Sequence, residues 1–176
     1  KEKDRLKAIN GEISVLQTKF SQNVLKEVNA SAVIFDSRKD LDGLSNTVIE
    51  SAANEASSLG LDGKFVIALK NTSGQPSLSS LTNRSSREKV HKASLSRGSR
   101  GGKFDNTEIL VDIIKLRSEK ARLMGYANHA AYILETQTAQ NPQNVNKRLS
   151  SLSPKALVNA KKEASDLQKM IESEGS

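Results

Sequence analysis

The residues of this chain that could do chemistry are two histidines, two tyrosines, a run of arginines and many serines; cysteine is absent. Zinc hydrolysis on a helical scaffold needs two histidines four residues apart, so that both imidazoles share a face, with a glutamate between them as general base. His91, in Lys89-Val90-His91-Lys92, and His129, in Asn128-His129-Ala130-Ala131, stand 38 residues apart and do not make that pattern. The first reads as a helix-surface residue and the second as a polar residue of a first helical turn. The serines fall in caps and polar loops, and no Gly-x-Ser-x-Gly elbow occurs to expose a nucleophile. Ser99-Arg100-Gly101-Gly102-Lys103 has the composition of a phosphate cradle, but a Walker loop requires Gly-Lys-Ser/Thr, and here Phe104 and Asp105 follow. Tyr126 and Tyr132, flanking a helix break, read as packing residues with polar tips. We therefore assign no catalytic, metal-binding or cofactor-binding residue in this chain. Without cysteine, thiolate metal sites, disulfides and cysteine nucleophiles are excluded.

The net charge of +7 is concentrated in one place. From Arg84 to Lys103 there are seven basic residues (Arg84, Arg87, Lys89, Lys92, Arg97, Arg100, Lys103) against the single acid Glu88, leaving the rest of the chain close to neutral. Such a stretch could recognise an acidic protein or nucleic acid. With 3% aromatic residues and no tryptophan, however, there are few surfaces on which bases could stack, and a solvated or intramolecularly paired basic face is the better reading. No apolar run approaches the roughly 20 residues that span a bilayer, and no membrane role is expected. The start at Lys1 and the polar end from Glu172 to Ser176 lead us to expect a segment cut from a larger protein.

The apolar periodicities that must position these groups are mostly helical. Leu6, Ile9, Ile13, Leu16, Phe20, Val24 and Val28 advance by three or four residues and predict a long opening helix. Ala32 to Phe35 predicts a short extended piece. Ser45 caps a helix through Ile49, Ala52 and Ala56 that Gly60 ends. Phe65 to Leu69 predicts a strand, followed by a turn with Gly74 and Pro76. Thr82-Asn83 caps a basic helix from Arg84 to about Leu95, and 96–104 reads as a flexible, basic, Gly-rich loop. Asp105, Asn106 or Thr107 caps a helix with Ile109, Leu110, Ile113, Ile114, Leu116 and Leu123 inside, closed by Gly125. Asn128 caps a short helix through Tyr132 and Leu134. Another starts after Asn141-Pro142, and Ser153-Pro154 opens a last one with Leu157, Ala160, Ala164, Leu167 and Ile171 on one side. The expected fold is mainly α, six or seven helices with one small extended or β-hairpin element, forming a single helical segment over 1–176.

The order of several motifs carries a resemblance. Leu81-Thr82-Asn83-Arg84-Ser85-Ser86-Arg87-Glu88-Lys89, then Ala93-Ser94-Leu95-Ser96-Arg97-Gly98, then Phe104-Asp105-Asn106, then Leu116-Arg117-Ser118-Glu119-Lys120-Ala121-Arg122-Leu123-Met124-Gly125-Tyr126 resemble the thimet oligopeptidase family of zinc metallopeptidases. Arg97-Gly98-Ser99-Arg100-Gly101-Gly102, Asn128-His129-Ala130-Ala131-Tyr132-Ile133-Leu134 and Ala139-Gln140-Asn141-Pro142 point to its bacterial peptidyl-dipeptidase branch. The resemblance runs from about Arg5 to Gln168.

It implies a parent enzyme that hydrolyses short peptides in a deep channel, releasing C-terminal dipeptides, with zinc held by a His-Glu-x-x-His helix and a downstream glutamate. That centre lies outside these 176 residues, so the isolated chain is expected to be inactive and to hold no cofactor. The matched part corresponds to channel wall. Its expected roles are structural: Arg84, Arg87 and Glu88 on one helix and Arg117 and Glu119 on another as interhelical ion-pairing groups, Asp105 and Asn106 as caps, Gly125 as a helix terminus. The expected partners are the remainder of the parent peptidase and its peptide substrate, with self-association of the excised segment as a further expectation, and the expected location is the cytoplasm, export of the parent being left open. The alternative is a stand-alone basic module binding an acidic protein or nucleic acid.

Overall fold

The computed structural model describes residues 1–70 and 75–175. Gly74, expected in a turn, lies outside them. Among these described residues, six α-helices and two strands occur in the order α1 (Glu2–Ala30), β1 (Val33–Phe35), α2 (Asn46–Ser58), β2 (Phe65–Ile67), α3 (Arg84–Leu95), α4 (Thr107–Leu123), α5 (His129–Leu134) and α6 (Pro142–Ser173), with 3-10 turns at Arg38–Leu41 and Pro76–Ser79. The fold is mainly α with a small hairpin-like sheet. The chain divides into two compact units, residues 10–115 and residues 1–9 with 116–176, so α1 and α4 each contribute to both.

The 10–115 unit is built on an antiparallel ladder pairing Val33 with Ile67, Ile34 with Val66 and Phe35 with Phe65. Alternation turns Val33 and Phe35 inward, leaving Ile34 outside. Two three-residue strands cannot hold themselves together in water. They are held by α2, packed on β2, and by α3, packed on β1 and on the turn at Pro76–Ser79. Phe35, Leu41, Ile49, Ala52, Leu69, Leu81 and Val90 close the core, each large side chain contributing roughly 1.5–3 kcal/mol by leaving water. The helix boundaries follow capping chemistry. Ser45 accepts a hydrogen bond from the Val48 amide, Asn83 from that of Ser86, and Gly60 ends the α2 region at φ 73°. One glycine is demanded by close approach: at Gly43 (φ 91°) an added Cβ would stand 2.0 Å from the Ser80 carbonyl oxygen, where the Thr82 amide bonds back to the Asp42 carbonyl.

In the other unit, Gly125 (φ 85°) closes α4, with the Tyr126 amide donating to the Ala121 carbonyl and that of Gly125 to Arg122. Asn128 caps α5 and Asn141 caps α6, which opens with Pro142 in its first turn. The sequence reading splits the last stretch into two helices at Ser153-Pro154, and this is corrected: α6 runs unbroken for 32 residues with Pro154 inside it. Proline removes one hydrogen bond and crowds the preceding turn. Here the deprived turn is on exposed helix, so water can satisfy the carbonyl, and the apolar stripe keeps its phase across the proline.

A second correction concerns α4. Ile109 and Ile113 are buried, but Leu110 and Ile114, expected inside, are 48% and 56% exposed. The buried stripe is therefore narrower than the apolar content of the helix.

Candidate functional site

The densest polar arrangement surrounds Glu27, a carboxylate only 5% exposed on the apolar face of α1. A buried charge must be paired and hydrogen-bonded to be tolerated. Arg100 Nε donates to Glu27 Oε1 at 2.7 Å, the Gly98 amide donates to Oε2, and the same guanidinium donates to the Ala93 carbonyl at the end of α3. One turn earlier on α1, Asn23 Nδ2 donates to Asn106 Oδ1 at 3.0 Å, and Asn106 Nδ2 donates to the Phe20 carbonyl at 3.1 Å. The Asn106 amide donates to the Gly98 carbonyl, joining both halves into one network. Arg97 donates to the Leu69 carbonyl at 3.0 Å. The 96–104 stretch, expected as a flexible loop, thus carries hydrogen bonds to α1, α3 and the end of the β2 segment.

Asp105 ties the loop to α4. Its carboxylate accepts from the amides of Thr107 at 2.8 Å and Gly101 at 2.7 Å. These bonds, with that of the Thr107 hydroxyl, hold its carboxyl below the usual carboxylate range. Asn106 occupies the cap position, its carbonyl accepting from Leu110, while its buried side chain reaches α1 instead of capping its own helix.

The other residues singled out from the sequence are placed as follows. Arg87 donates to the carbonyls of Leu81 and Thr82, 2.8 and 2.7 Å, bracing the turn before α3. Glu88 pairs with Lys92 one turn along α3, and that hydrogen bond, then the charges of Lys92 and Arg84, lowers its pKa. Arg84, Arg87, Glu88, His91 and Leu78 line an open hollow of ≈ 350 Å³. Among the described residues, no ion pair between helices is seen for Arg84, Arg87 or Glu88. Glu119 makes one: it accepts from both Nε (2.6 Å) and Nη2 (2.7 Å) of Arg5 on α1, a bidentate pair that lowers its pKa. The charge of Arg117 adds to the lowering of the His129 pKa, after burial.

Around His129 the 116–176 segment gathers a small aromatic cluster. Tyr126 and Tyr132 meet edge to face at 5.2 Å, Lys120 lies 5.6 Å from the Tyr132 ring centre, and Tyr126 donates its hydroxyl to Glu135. That bond raises the phenol pKa. Burial, and then the charges of Arg117 and Lys120, push the His129 pKa down, and its buried Nδ1 has no hydrogen-bond partner among the described residues. Both perturbations have structural causes, burial and neighbouring charge for His129 and a hydrogen bond for Tyr126.

Among the described residues no group of three or more His, Cys, Asp or Glu side chains could hold a metal, and the two histidines belong to different compact units. What the arrangement can do is fix helices. The members that sequence reading missed are Glu27, Asn23, Arg5 and the role of Arg100. A signal existed for the first two: four residues apart, they lie on the same helical face as Phe20 and Val24, and polar groups inside an apolar stripe demand partners.

Comparison with known proteins places this scaffold. Peptidase family M3 matches residues 77–176. The chain belongs to that family. It is 32% identical over 173 residues to the dipeptidyl carboxypeptidase of Salmonella typhimurium, covering 98% of this chain and 25% of that protein. Against the dipeptidyl carboxypeptidase of Escherichia coli it is 29% identical, covering 97% and 25%. Against oligopeptidase A of Haemophilus influenzae it is 31% identical, covering 92% and 24%. The chain spans about a quarter of the length of these curated relatives, and this M3 segment is peptidase-related along almost all of its own length. No helix among the described residues is long and apolar enough to cross a membrane.

Proposed function

We propose that this chain is a non-catalytic, channel-wall segment of a peptidyl-dipeptidase-like zinc metallopeptidase, and that the parent enzyme removes dipeptides from the C-termini of short peptides. The observation carrying this reading is the joint one of similarity along 98% of the chain and coverage of only 25% of the dipeptidyl carboxypeptidase it resembles. The polar network around Glu27 supports a scaffold role, because Glu27 and Arg100 are bonded to each other and to backbone groups of the same unit. The zinc site and the water-activating glutamate belong, on this reading, to the part of the parent outside this chain. The other partners are the remainder of the peptidase and its peptide substrate, and the location is the cytoplasm.

The test compares the isolated chain with a polypeptide that continues through a His-Glu-x-x-His helix. The isolated chain should retain no stoichiometric zinc after dialysis and hydrolyse nothing. The longer one should release dipeptides successively from a C-terminus, with loss of activity to a chelator. Cleavage only at internal bonds would instead place the parent with the oligopeptidases. A zinc-holding, active isolated chain would overturn the proposal.

The alternative, a basic interaction module, is weakened by where the basic residues go. Arg87, Arg97 and Arg100 are committed to carbonyls and to Glu27, Lys92 to Glu88, and Lys89 lies 5.8 Å from the Phe35 ring centre. A basic module should bind duplex DNA with an affinity that falls steeply with salt; absence of such binding is the expected result.

A further inference from the structure

The sequence Leu-Asp-Gly occurs twice in this chain, in Leu41-Asp42-Gly43-Leu44 and in Leu61-Asp62-Gly63-Lys64. Both copies lie in the 10–115 unit, and both fold as the same turn. In each, the amide of the fourth residue donates to the leucine carbonyl at 3.1 Å, and the glycine stands at positive φ, 91° and 81°, as glycine in the third position of such a turn permits. Aspartate before glycine is also a reactive pair. With no side chain beside it, the glycine amide nitrogen can attack the aspartate carboxyl carbon. A C–N bond forms, a C–O bond breaks, and the hydroxyl leaves with the amide proton as water. Water then opens the cyclic imide at either carbonyl, returning aspartate or leaving isoaspartate, in which the backbone runs through the side-chain methylene. Ring closure requires the Asp–Gly peptide group to turn until its nitrogen faces the carboxyl carbon.

The two turns differ in whether that rotation is open to them. At the first, the Asp42 carbonyl accepts the Thr82 amide at 2.9 Å. Gly43 is so close to the facing backbone that an added Cβ would stand 2.0 Å from the Ser80 carbonyl oxygen, and Leu41, just before the pair, is fully buried. Turning this peptide would break the hydrogen bond and drive Gly43 into Ser80 and Thr82. At the second, nothing lies within 4 Å of the same position on Gly63, and Asp62, Gly63 and Lys64 are all exposed. Among the described residues, no backbone hydrogen bond holds the Asp62 carbonyl or the Gly63 amide. The related pair Asn10-Gly11 lies inside α1, where the glycine amide belongs to the helical ladder.

We propose that Asp62-Gly63 is a site of spontaneous isoaspartate formation in the folded chain, and that the fold locks the identical pair Asp42-Gly43 against it. The site immediately precedes Lys64, which pairs with Asp36 at 2.9 Å, and Phe65, which opposes Phe35 in the sheet. The added backbone methylene falls where β2 is delivered to β1, so the isomerised chain melts at a lower temperature. None of this depends on the peptidase reading.

One tryptic peptide, Asp40 to Lys64, contains both pairs, so the two rates are read within the same molecule by fragmentation that distinguishes the isoaspartate backbone. The folded chain, aged at neutral pH, should gain isoaspartate at Asp62 roughly tenfold faster than at Asp42, the effect on a rate of first giving up a hydrogen bond and a close contact. In guanidinium, where only the shared Leu-Asp-Gly sequence acts, the two sites should react at similar rates. Asp62→Glu, which would have to close a larger ring, should lose the signal at that position and keep the far-ultraviolet dichroism of the unsubstituted chain. Equal rates in the folded chain, or a faster rate at Asp42, overturn the proposal. So does a folded chain that stays free of isoaspartate at Asp62 after the denatured control has formed it, or a preference for Asp62 that persists undiminished in guanidinium.

Discussion

The stretch from Arg97 to Asn106 and helix α6 are both rich in charge, and by composition the glycine-rich stretch is the one that should be loose. The structure reverses that order of engagement. The Gly-rich stretch wraps a buried carboxylate, with Arg100, the Gly98 amide and Asn106 bonded to α1 or to one another. The regular helix buries none of its residues, and its Asp166–Lys169 ion pair lies between neighbours in its own sequence. Regularity of backbone and depth of attachment are separate properties. Local propensity makes a helix, but only a buried group with an unmet requirement makes a segment indispensable to its surroundings.

The largest effects should therefore follow from cutting the attachment of the irregular stretch. Arg100→Ala leaves Glu27 buried without its cation, and should cost roughly 3 to 5 kcal/mol, seen as a lower denaturation midpoint. Pairing it with Glu27→Gln should recover much of the loss, because the uncompensated charge is removed. If Arg100→Ala melts with the unsubstituted chain, the stretch is not held as described. Phe35→Ala should cost a comparable 3–5 kcal/mol by opening a cavity under β1, so it calibrates the network against the apolar core. Both exceed what sequence alone suggests for Arg100, which reads there as a solvated loop residue.

Acidification should separate the contributions in intermediate fashion. Asp36, Glu88, Asp105 and Glu119 all have folded pKa values below their ordinary ones, held down chiefly by hydrogen bonds from Lys64, Lys92, the Thr107 amide and Arg5 respectively. A depressed carboxylate pKa stabilises the fold fully above the unfolded value, about 4, and the contribution is lost as pH falls through the folded value. His129, depressed by burial, should weaken its surroundings earlier, as pH falls below about 6.5. Thermal melts across pH 7 to 3, with and without His129→Phe, would reveal two windows; one transition unchanged by that substitution would remove His129 from the account.

The smallest effects should lie on α6. Leu157→Ser and Leu167→Ser, 54% and 60% exposed, should shift the melting of the 10–115 unit by no more than about 0.5 kcal/mol. Pro154→Ala should raise helicity by circular dichroism while leaving that core transition in place. A drop comparable to that of Phe35→Ala at either leucine would mean that α6 is bound into the core.

Much of the molecule was legible before any coordinate. The spacing of Leu6 to Val28, the caps Ser45, Asn83 and Asn128 and the terminus at Gly125 are local signals, acting within four residues, and they fix α1, α2, α3, α5 and the end of α4. The family could be read too, because ordered motifs survive in the chain itself. What the sequence left open depended on partners remote along the chain. Glu27 and Arg100 are 73 residues apart and Arg5 and Glu119 are 114 apart. A side chain's type states that it needs a counter-charge but not where the counter-charge will be. Likewise Pro154 reads as a helix start because local chemistry permits it, and only the exposure of the helix around it lets water take the vacant carbonyl so that one helix continues. The sequence by itself determined the helices, their caps and the lineage, through interactions a turn long. The tertiary structure decided which charges are buried, which arginine matters and which apolar face still meets water, because burial is a property of the packed chain and not of any residue within it.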